Sequence, residues 1–352
     1  MAIELRDVSK RIDGQTHIYE TSLSLQPGEF NILLGTTLSG KTTLMRLMAG
    51  LEKPSSGEVW GNGENLTGVA VQKRSVAMVY QAFINYPSFS VYENIASPLK
   101  VAGLSRAQID DKVQKFAGLL KLTPMLHRLP AELSGGQQQR TALARALVKG
   151  ADLVLLDEPL ANLDYKLREE LRDELPRLFA DSGATVVYAT SEPLEALMLG
   201  GHTATLSEGR VVQFGKTSVT YRNPDTLQSA RVFSDPPINT ANIQKRGSRL
   251  HLSDAIHWAA PPAVAALADG EYKIGIRPHH LLPGNQGVVV EGEVLISEIS
   301  GSESILRVNV EGNHWVSEAH GVHSYDFREQ ASFCFDAQRC LYFDADEKTI
   351  AV

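Results

Sequence analysis

The chain holds only two cysteines in 352 residues, Cys334 and Cys340. Their number and spacing exclude a disulfide framework and match no zinc-ligand pattern, so they read as ordinary thiols of a reducing cytoplasm. Long apolar runs are missing as well. None approaches the roughly 18 residues needed to span a bilayer, and the opening MAIELRDVSKR lacks the basic-then-apolar order of a signal peptide. Any membrane association is therefore expected to come through a partner. Basic residues are in surplus nowhere. The net charge is −7, and residues 236–352 carry nine Lys/Arg against fifteen Asp/Glu while the remainder is near balance. That excludes the electrostatic footprint of a protein that grips a nucleic-acid backbone.

What is present is ordinary for a globular protein, with 43% hydrophobic and 21% charged residues. The length predicts two domains. Strands are expected around Ile3, Leu5 and Val8, at Leu23 and Leu25, and over Phe30–Leu34. Helices are expected over Lys41–Ala49, from a Ser105 cap toward Leu120, and from Ser134 through Ala146. Leu153–Asp157 and Thr185–Ala189 read as central strands because they are nearly continuous apolar runs. This is a layered α/β core, expected to occupy residues 1–235 with a helical part at about 85–150. After Asp235-Pro236-Pro237 helical periodicity all but vanishes, apart from Pro262–Leu267. Runs at Tyr272–Ile276, Val288–Val290, Val294–Ile299, Ile305–Val310 and Ala331–Phe335, separated by Gly, Pro and Asn, predict a small β-barrel or sandwich over 236–352.

Three motifs carry chemistry. Gly35-Thr36-Thr37-Leu38-Ser39-Gly40-Lys41-Thr42, continued by Thr43, has the phosphate-loop pattern between a strand and a helix. Successive backbone N–H groups and a positive helix N-terminus can cradle anionic oxygens there. Lys41 neutralises phosphate charge and the Thr42 hydroxyl can hold Mg²⁺. Asp157 and Glu158 end a buried apolar strand, where one carboxylate can orient the Mg²⁺ shell and the other can polarise an attacking water. In Leu133–Arg140, LSGGQQQR, Ser134, Gly135, Gly136 and Gln137 make a second anion cap at a helix start.

In this order the motifs resemble those of the ATPase subunit of an ATP-binding cassette (ABC) transporter, and they imply its fold: a RecA-like nucleotide-binding domain with a helical subdomain. The resemblance further implies ATP and Mg²⁺ as ligands. In that family the LSGGQ cap closes over ATP held by a facing subunit, so that two chains sandwich two nucleotides. Gln81 matches the family's Q-loop glutamine, which senses Mg²⁺ and links the site to the membrane subunits. Phe83–Pro87 and Val91–Ile95 would border the groove for a coupling helix, and Asn162-Leu163-Asp164 matches the loop that crosses between the two sites. The family's adenine-stacking aromatic falls near Ile12, which has no ring; Tyr19 is a nearby candidate and equally a plain strand residue.

One family residue is absent. Where a histidine is expected, the chain reads Thr190-Ser191-Glu192-Pro193. Ser191 is suited to cap a helix beginning near Pro193, but it is shorter than an imidazole and cannot carry positive charge. Losing one preorganised transition-state donor costs about 10²–10³ in rate. The resemblance therefore implies a slow own site and favours an asymmetric dimer with a second, non-identical ATPase. A homodimer, with two weakened sites, and a mainly structural nucleotide-binding subunit are the alternatives.

The likeness extends over nearly the whole chain. Val71–Tyr80, Tyr92-Glu93-Asn94-Ile95 and the segment Gly275-Ile276-Arg277-Pro278-His279 are similar to the maltose and glycerol-3-phosphate importer class, whose regulatory domain is of OB type. GTTLSGKTTLMRLMAGLE, INYPSFSVYENIASPLK and ATSEPLEALMLGG resemble one of the two unlike ATPase subunits of bacterial glycerol importers. The class implies two membrane-spanning permease subunits, an indirect periplasmic solute-binding protein, no nucleic acid, and a peripheral place on the cytoplasmic face of the bacterial inner membrane. A soluble ABC ATPase of translation or DNA repair is disfavoured, because the chain has one cassette and no coiled-coil insertion.

Overall fold

Strands that are apolar along their whole length need cover on both faces and neighbours on both edges. Phe30–Leu34, Leu153–Asp157 and Thr185–Thr190 are buried at every position. The computed structural model, which describes every residue except Phe83, Asn162, Asp181, Ala351 and Val352, sets them inside a six-stranded sheet. Its order is Arg210–Lys216, His202–Ser207, Phe30–Leu34, Thr185–Thr190, Leu153–Asp157, Val76–Val79. All pairs are parallel except the first, an antiparallel edge. The register puts Leu34 opposite Thr190 and Thr205, and Asp157 opposite Ala189. The carboxyl ends of the central strands thus meet along one edge, where open α/β sheets bind ligands.

The Lys41–Ala49 helix drives Leu44, Met45, Leu47 and Met48 into a core shared with Leu33, Leu155 and Val187. The same core takes Ile3, Leu5 and Leu23 from a separate antiparallel sheet ordered Gln15–Ser24, Ile3–Ile12, Ser56–Gly61, Glu64–Asn65. Phe179, on the Tyr165–Ala180 helix, meets Phe30 edge-on at 5.7 Å. Between the Val76 and Leu153 strands come the helices Val91–Val101, Arg106–Leu119 and Gly135–Val148. Each starts on a serine that closes a capping box, Ser90 with Glu93, Ser105 with Gln108 and Ser134 with Gln137, which satisfies two orphan N–H groups per helix.

The chain forms two compact units, residues 1–218 and 219–352. This division falls earlier than the change of sequence texture at 235–240. The physical reason is a small core in which Leu227, Ala230 and Ile238 close on Phe343, so the last helical stretch packs with the β-rich residues. The second unit is antiparallel throughout. One sheet runs His257–Ala259, Arg249–His251, Asn239–Arg246, Gly270–Ile276, Leu341–Phe343, Thr349–Ile350, and the other Leu282–Pro283, Gln330–Phe335, Val288–Ile299, Glu303–Val310, Asn313–His320. Their inner faces share Ile274, Leu306, Trp315, Phe333 and Tyr342. The two expected strands on either side of Gly292 are one 12-residue strand. Gly292 makes no turn. A Cβ there would stand 3.2 Å from Val310, so glycine serves close packing. Both cysteines are free and buried.

Candidate functional site

The phosphate loop leaves the buried Phe30–Leu34 strand and opens the Lys41–Ala49 helix. Its two glycines have separate steric reasons. A Cβ on Gly35 would stand 2.5 Å from the Leu206 carbonyl oxygen, and Gly40 has φ 103° with Ile18 in the way, a backbone region that excludes most side chains. Lys41, buried, donates through Nζ to the carbonyls of Gly35 at 2.7 Å and Thr36 at 3.0 Å. Glu158 Oε1 lies 3.7 Å from the same ammonium. Burial pulls the Lys41 pKa down, and the adjacent Glu158 and Asp157 carboxylates oppose that.

Thr42 Oγ1 donates to Asp157 Oδ2 at 2.8 Å, and Gln81 Nε2 donates to Glu158 Oε2 at 2.8 Å. Asp157 is buried, which raises its pKa; the Thr42 hydroxyl works in the opposite direction. Glu158 sits just past its strand at φ 46°, a left-handed conformation costing about 1–3 kcal/mol in a non-glycine residue and concentrated at functional sites. Three segments distant in sequence, Lys41-Thr42, Gln81 and Asp157-Glu158, are therefore brought into one cluster.

This cluster floors a cavity of about 560 Å³ bordered by residues 37–43, Gln81 and Glu158. Buried Ser39 Oγ has no hydrogen-bond partner among the described residues. An orphaned hydroxyl, a helix N-terminus and a lysine suit an oxygen-rich anion. The hydroxyl, carboxylate and amide of Thr42, Asp157 and Gln81 are hard oxygen donors of the kind Mg²⁺ takes. Among the described residues no three His, Cys, Asp or Glu side chains group as a metal site by themselves.

The far wall of the cavity was not fully legible in the sequence. It comes from Gln15, Thr16, His17 and Tyr19 at the start of one strand and from the Glu208-Gly209 turn. Tyr19 is a strand residue and also a cavity residue, 38% exposed. Arg210, which does not border the cavity, stacks its guanidinium 3.6 Å from the Tyr19 ring centre. Ile12 is not among the lining residues.

Other expected residues lie elsewhere. Ser134 Oγ accepts from Gln137 N–H at 3.4 Å and Gln137 Oε1 from Ser134 N–H at 3.0 Å; neither they, Gly135, Asp164 nor Ser191 borders the cavity. Asp164 Oδ1 accepts from Leu167 N–H at 3.0 Å, holding the start of the Tyr165–Ala180 helix. Its neighbour Asn162 is outside the described residues, as is Phe83 of the expected groove. Ser191 is exposed and is not the helix cap: the Pro193–Leu199 helix has Glu192 in that position, without a side-chain cap. The preceding Thr190 orders the turn ahead of the helix and does not cap it. Its hydroxyl accepts from Glu192 N–H at 3.0 Å and donates at 2.6 Å to buried Glu195, which Tyr188 also contacts.

Away from the cavity, Ile84, Tyr86, Phe89 and Val101 expose apolar surface. Asn94 holds the loop beneath them by bonding Tyr86, Phe89 and Ser90. Arg145 adds a hydrogen bond to Asn94 and lies over the Tyr86 ring. Among the described residues no helix is long and apolar enough to cross a membrane.

Comparison with known proteins agrees with this geometry. Residues 18–161 match the family model described as ABC transporter. The chain is 36% identical over 351 residues to the sn-glycerol-3-phosphate import ATP-binding protein UgpC of Chromobacterium violaceum, covering 98% of this chain and 94% of that protein. It is 35% identical over 364 residues to the trehalose/maltose import ATP-binding protein MalK of Thermococcus litoralis, covering 97% of each. Among solved structures, the dimeric ATP-binding cassette MJ0796 in a post-hydrolysis state with ADP and Pi superposes with a TM-score of 0.57 at 27% identity, covering 61% of this chain and 98% of that one. The chain belongs to the ABC transporter family, as one of its ATP-binding, ATP-hydrolysing subunits.

Proposed function

We propose that this subunit energises import of a sugar, polyol or glycerol-type solute, and that it does so in an asymmetric dimer with a second, non-identical ATPase. The observation that carries the dimer is spatial: an intact signature helix whose Ser134–Gln137 start borders no part of the chain's own phosphate cavity. Gly135 supports it. Among the described residues, apart from its chain neighbours and its own helix backbone, nothing lies within 4 Å of a Cβ built there, although glycine in a helix costs roughly 1 kcal/mol relative to alanine. The missing side chain leaves room for something outside this chain. The import ATPases named above support the solute class, and the exposed Ile84, Tyr86, Phe89 and Val101 surface fits a permease helix, which would hold the subunit on the cytoplasmic face of the membrane.

Bound ATP supplies the phosphoanhydride to be cleaved, with Mg²⁺ neutralising its oxygens. The phosphate loop N–H groups and Lys41 hold the phosphates, which requires Lys41 to exchange its Gly35 and Thr36 carbonyls for phosphate oxygens. Thr42, with Asp157 behind it and Gln81 beside it, would hold the metal ion. Glu158, turned to the cavity, accepts hydrogen bonding from the attacking water and polarises it. Tyr19 offers its open face to the nucleobase. Ser191 provides no charged donor toward the γ-phosphate, so hydrolysis at this chain's own site is slow.

The test is ATP hydrolysis by the chain alone and with its co-expressed ATPase and permease partners, comparing Glu158→Gln with the same change in the partner ATPase. Negligible activity alone, restored by the partners and abolished only by the partner's substitution, is the expected result. Robust activity alone that is lost on Glu158→Gln would overturn the asymmetric reading.

A further inference from the structure

The most capacious cavity described lies outside the nucleotide site, wholly within residues 219–352, at about 1080 Å³. Although that unit is net acidic, its border carries three cations, Arg222, Arg339 and Lys348, with one carboxylate residue, Asp225. Neither Arg222 nor Lys348 forms an ion pair among the described residues. Arg339 has only Asp336, at 3.8 Å. Cations that outnumber the carboxylates beside them repel one another, and a multivalent anion relieves that cost.

The border is also held in place. The segment carrying Arg222 and the one carrying Lys348 are zipped together: Thr226 bridges to Lys348, Leu227 N–H donates to Glu347 at 2.9 Å, and Thr349 N–H donates to the Asp225 carbonyl at 3.0 Å. A second cavity of about 520 Å³ adjoins the first, with Pro261, Pro262 and Gln338 as their common wall. Its character is different. Trp258 and Phe335, edge-to-face at 5.4 Å, line it beside Val288. A border rich in cations beside a pocket where the edges of Trp258 and Phe335 surface, with Asp336 also on its rim, suits a ligand with a doubly charged head and a carbon body. Planar guanidinium groups favour phosphate oxygens, and a dianion matches this charge better than a carboxylate.

We propose that this furrow of the β-rich unit binds a small organic phosphomonoester, with Arg222, Lys348 and Arg339 on the phosphate and the Trp258–Phe335 wall against the carbon body.

The experiment uses the full chain carrying Lys41→Ala, so that the phosphate loop does not compete. It is titrated calorimetrically with phenyl phosphate, inorganic phosphate and benzyl alcohol, while tryptophan emission is followed. Phenyl phosphate is expected to bind saturably, and more tightly than either half of the molecule. Arg222→Gln combined with Lys348→Gln should weaken it by about tenfold or more, since charge-assisted hydrogen bonds are lost. Trp258→Phe should remove the emission change and keep the heat. Arg222, Lys348 and Arg339 are exposed, so circular dichroism should be unaltered in the double variant. Absence of saturable binding, equal affinity in the double variant, or equal binding of benzyl alcohol would overturn the proposal.

Discussion

The chain presents two helix N-termini suited to an anion, and they are finished very differently. At Lys41 the helix start is surrounded by its own chain: Glu158, Asp157, Gln81 and the far wall at Tyr19 complete a cavity. At Gly135 the start is satisfied only by its own capping box and faces open space. The first is an enclosed reagent shelf and the second is a lid without a box. On the proposed reading a single chain holds one half of each of two sites, and Ser191 decides which half is deficient.

Substitutions can break that comparison. The largest effect is expected for Gly135→Trp. Filling the open space should leave the melting temperature of the isolated chain nearly unchanged yet lower ATPase of the assembled complex by about 10²–10³, the scale of a lost transition-state contact. If the complex retained full activity, the open face would have no partner. Next is Ser191→His, which should raise hydrolysis at this chain's own site by up to about 10², read with the partner's catalytic glutamate replaced; an unchanged rate would count against the loss of the histidine as the cause of slowness. Tyr19→Ala should weaken nucleotide binding about tenfold, the worth of one base–aromatic stack, whereas Tyr19→Phe should not; equal losses in both would mean that the hydroxyl, and not the ring, matters.

The smallest effect concerns the second unit. His280 is held down to about 4, first by burial and then by His279 and Arg277. Since the unfolded chain takes up this proton near pH 6.5 and the folded chain does not, the stabilisation is complete above pH 6.5 and is lost as the pH falls toward 4. After allowance for partial solvent exposure the loss is about 1–2 kcal/mol. Urea titrations at pH 7.5 and 5 should show it, and His280→Gln should flatten the difference.

Legibility in the sequence followed environment. Phe30–Leu34, Lys41–Ala49 and Leu153–Asp157 were readable to the residue, because continuous burial and a phosphate-loop pattern each permit few alternatives. Gly292 misled, since a glycine that makes room for Val310 looks the same in sequence as one that turns the chain. Ser191 misled for a related reason. A serine before a proline is a sound cap, but Glu192 takes the cap position, and the Thr190 hydroxyl, anchored on buried Glu195, accepts the Glu192 N–H. Tyr19 could be nominated and not decided, because its relevance depends on Gly209 and Arg210, nearly two hundred residues away.

The Thr185–Thr190 strand ends between two backbone partners. Thr190 gives its carbonyl to Gly35 N–H at 3.2 Å, and Ala189 gives its carbonyl to Glu158 N–H at 3.0 Å. The same few peptide units are therefore tethered to the phosphate shelf and to the water-polarising glutamate, and they run directly into Ser191. On the proposed reading, serine in place of an imidazole removes a reagent from that spot without cutting either tether. A strand end so attached ties the position of Ser191 to those of Gly35 and Glu158.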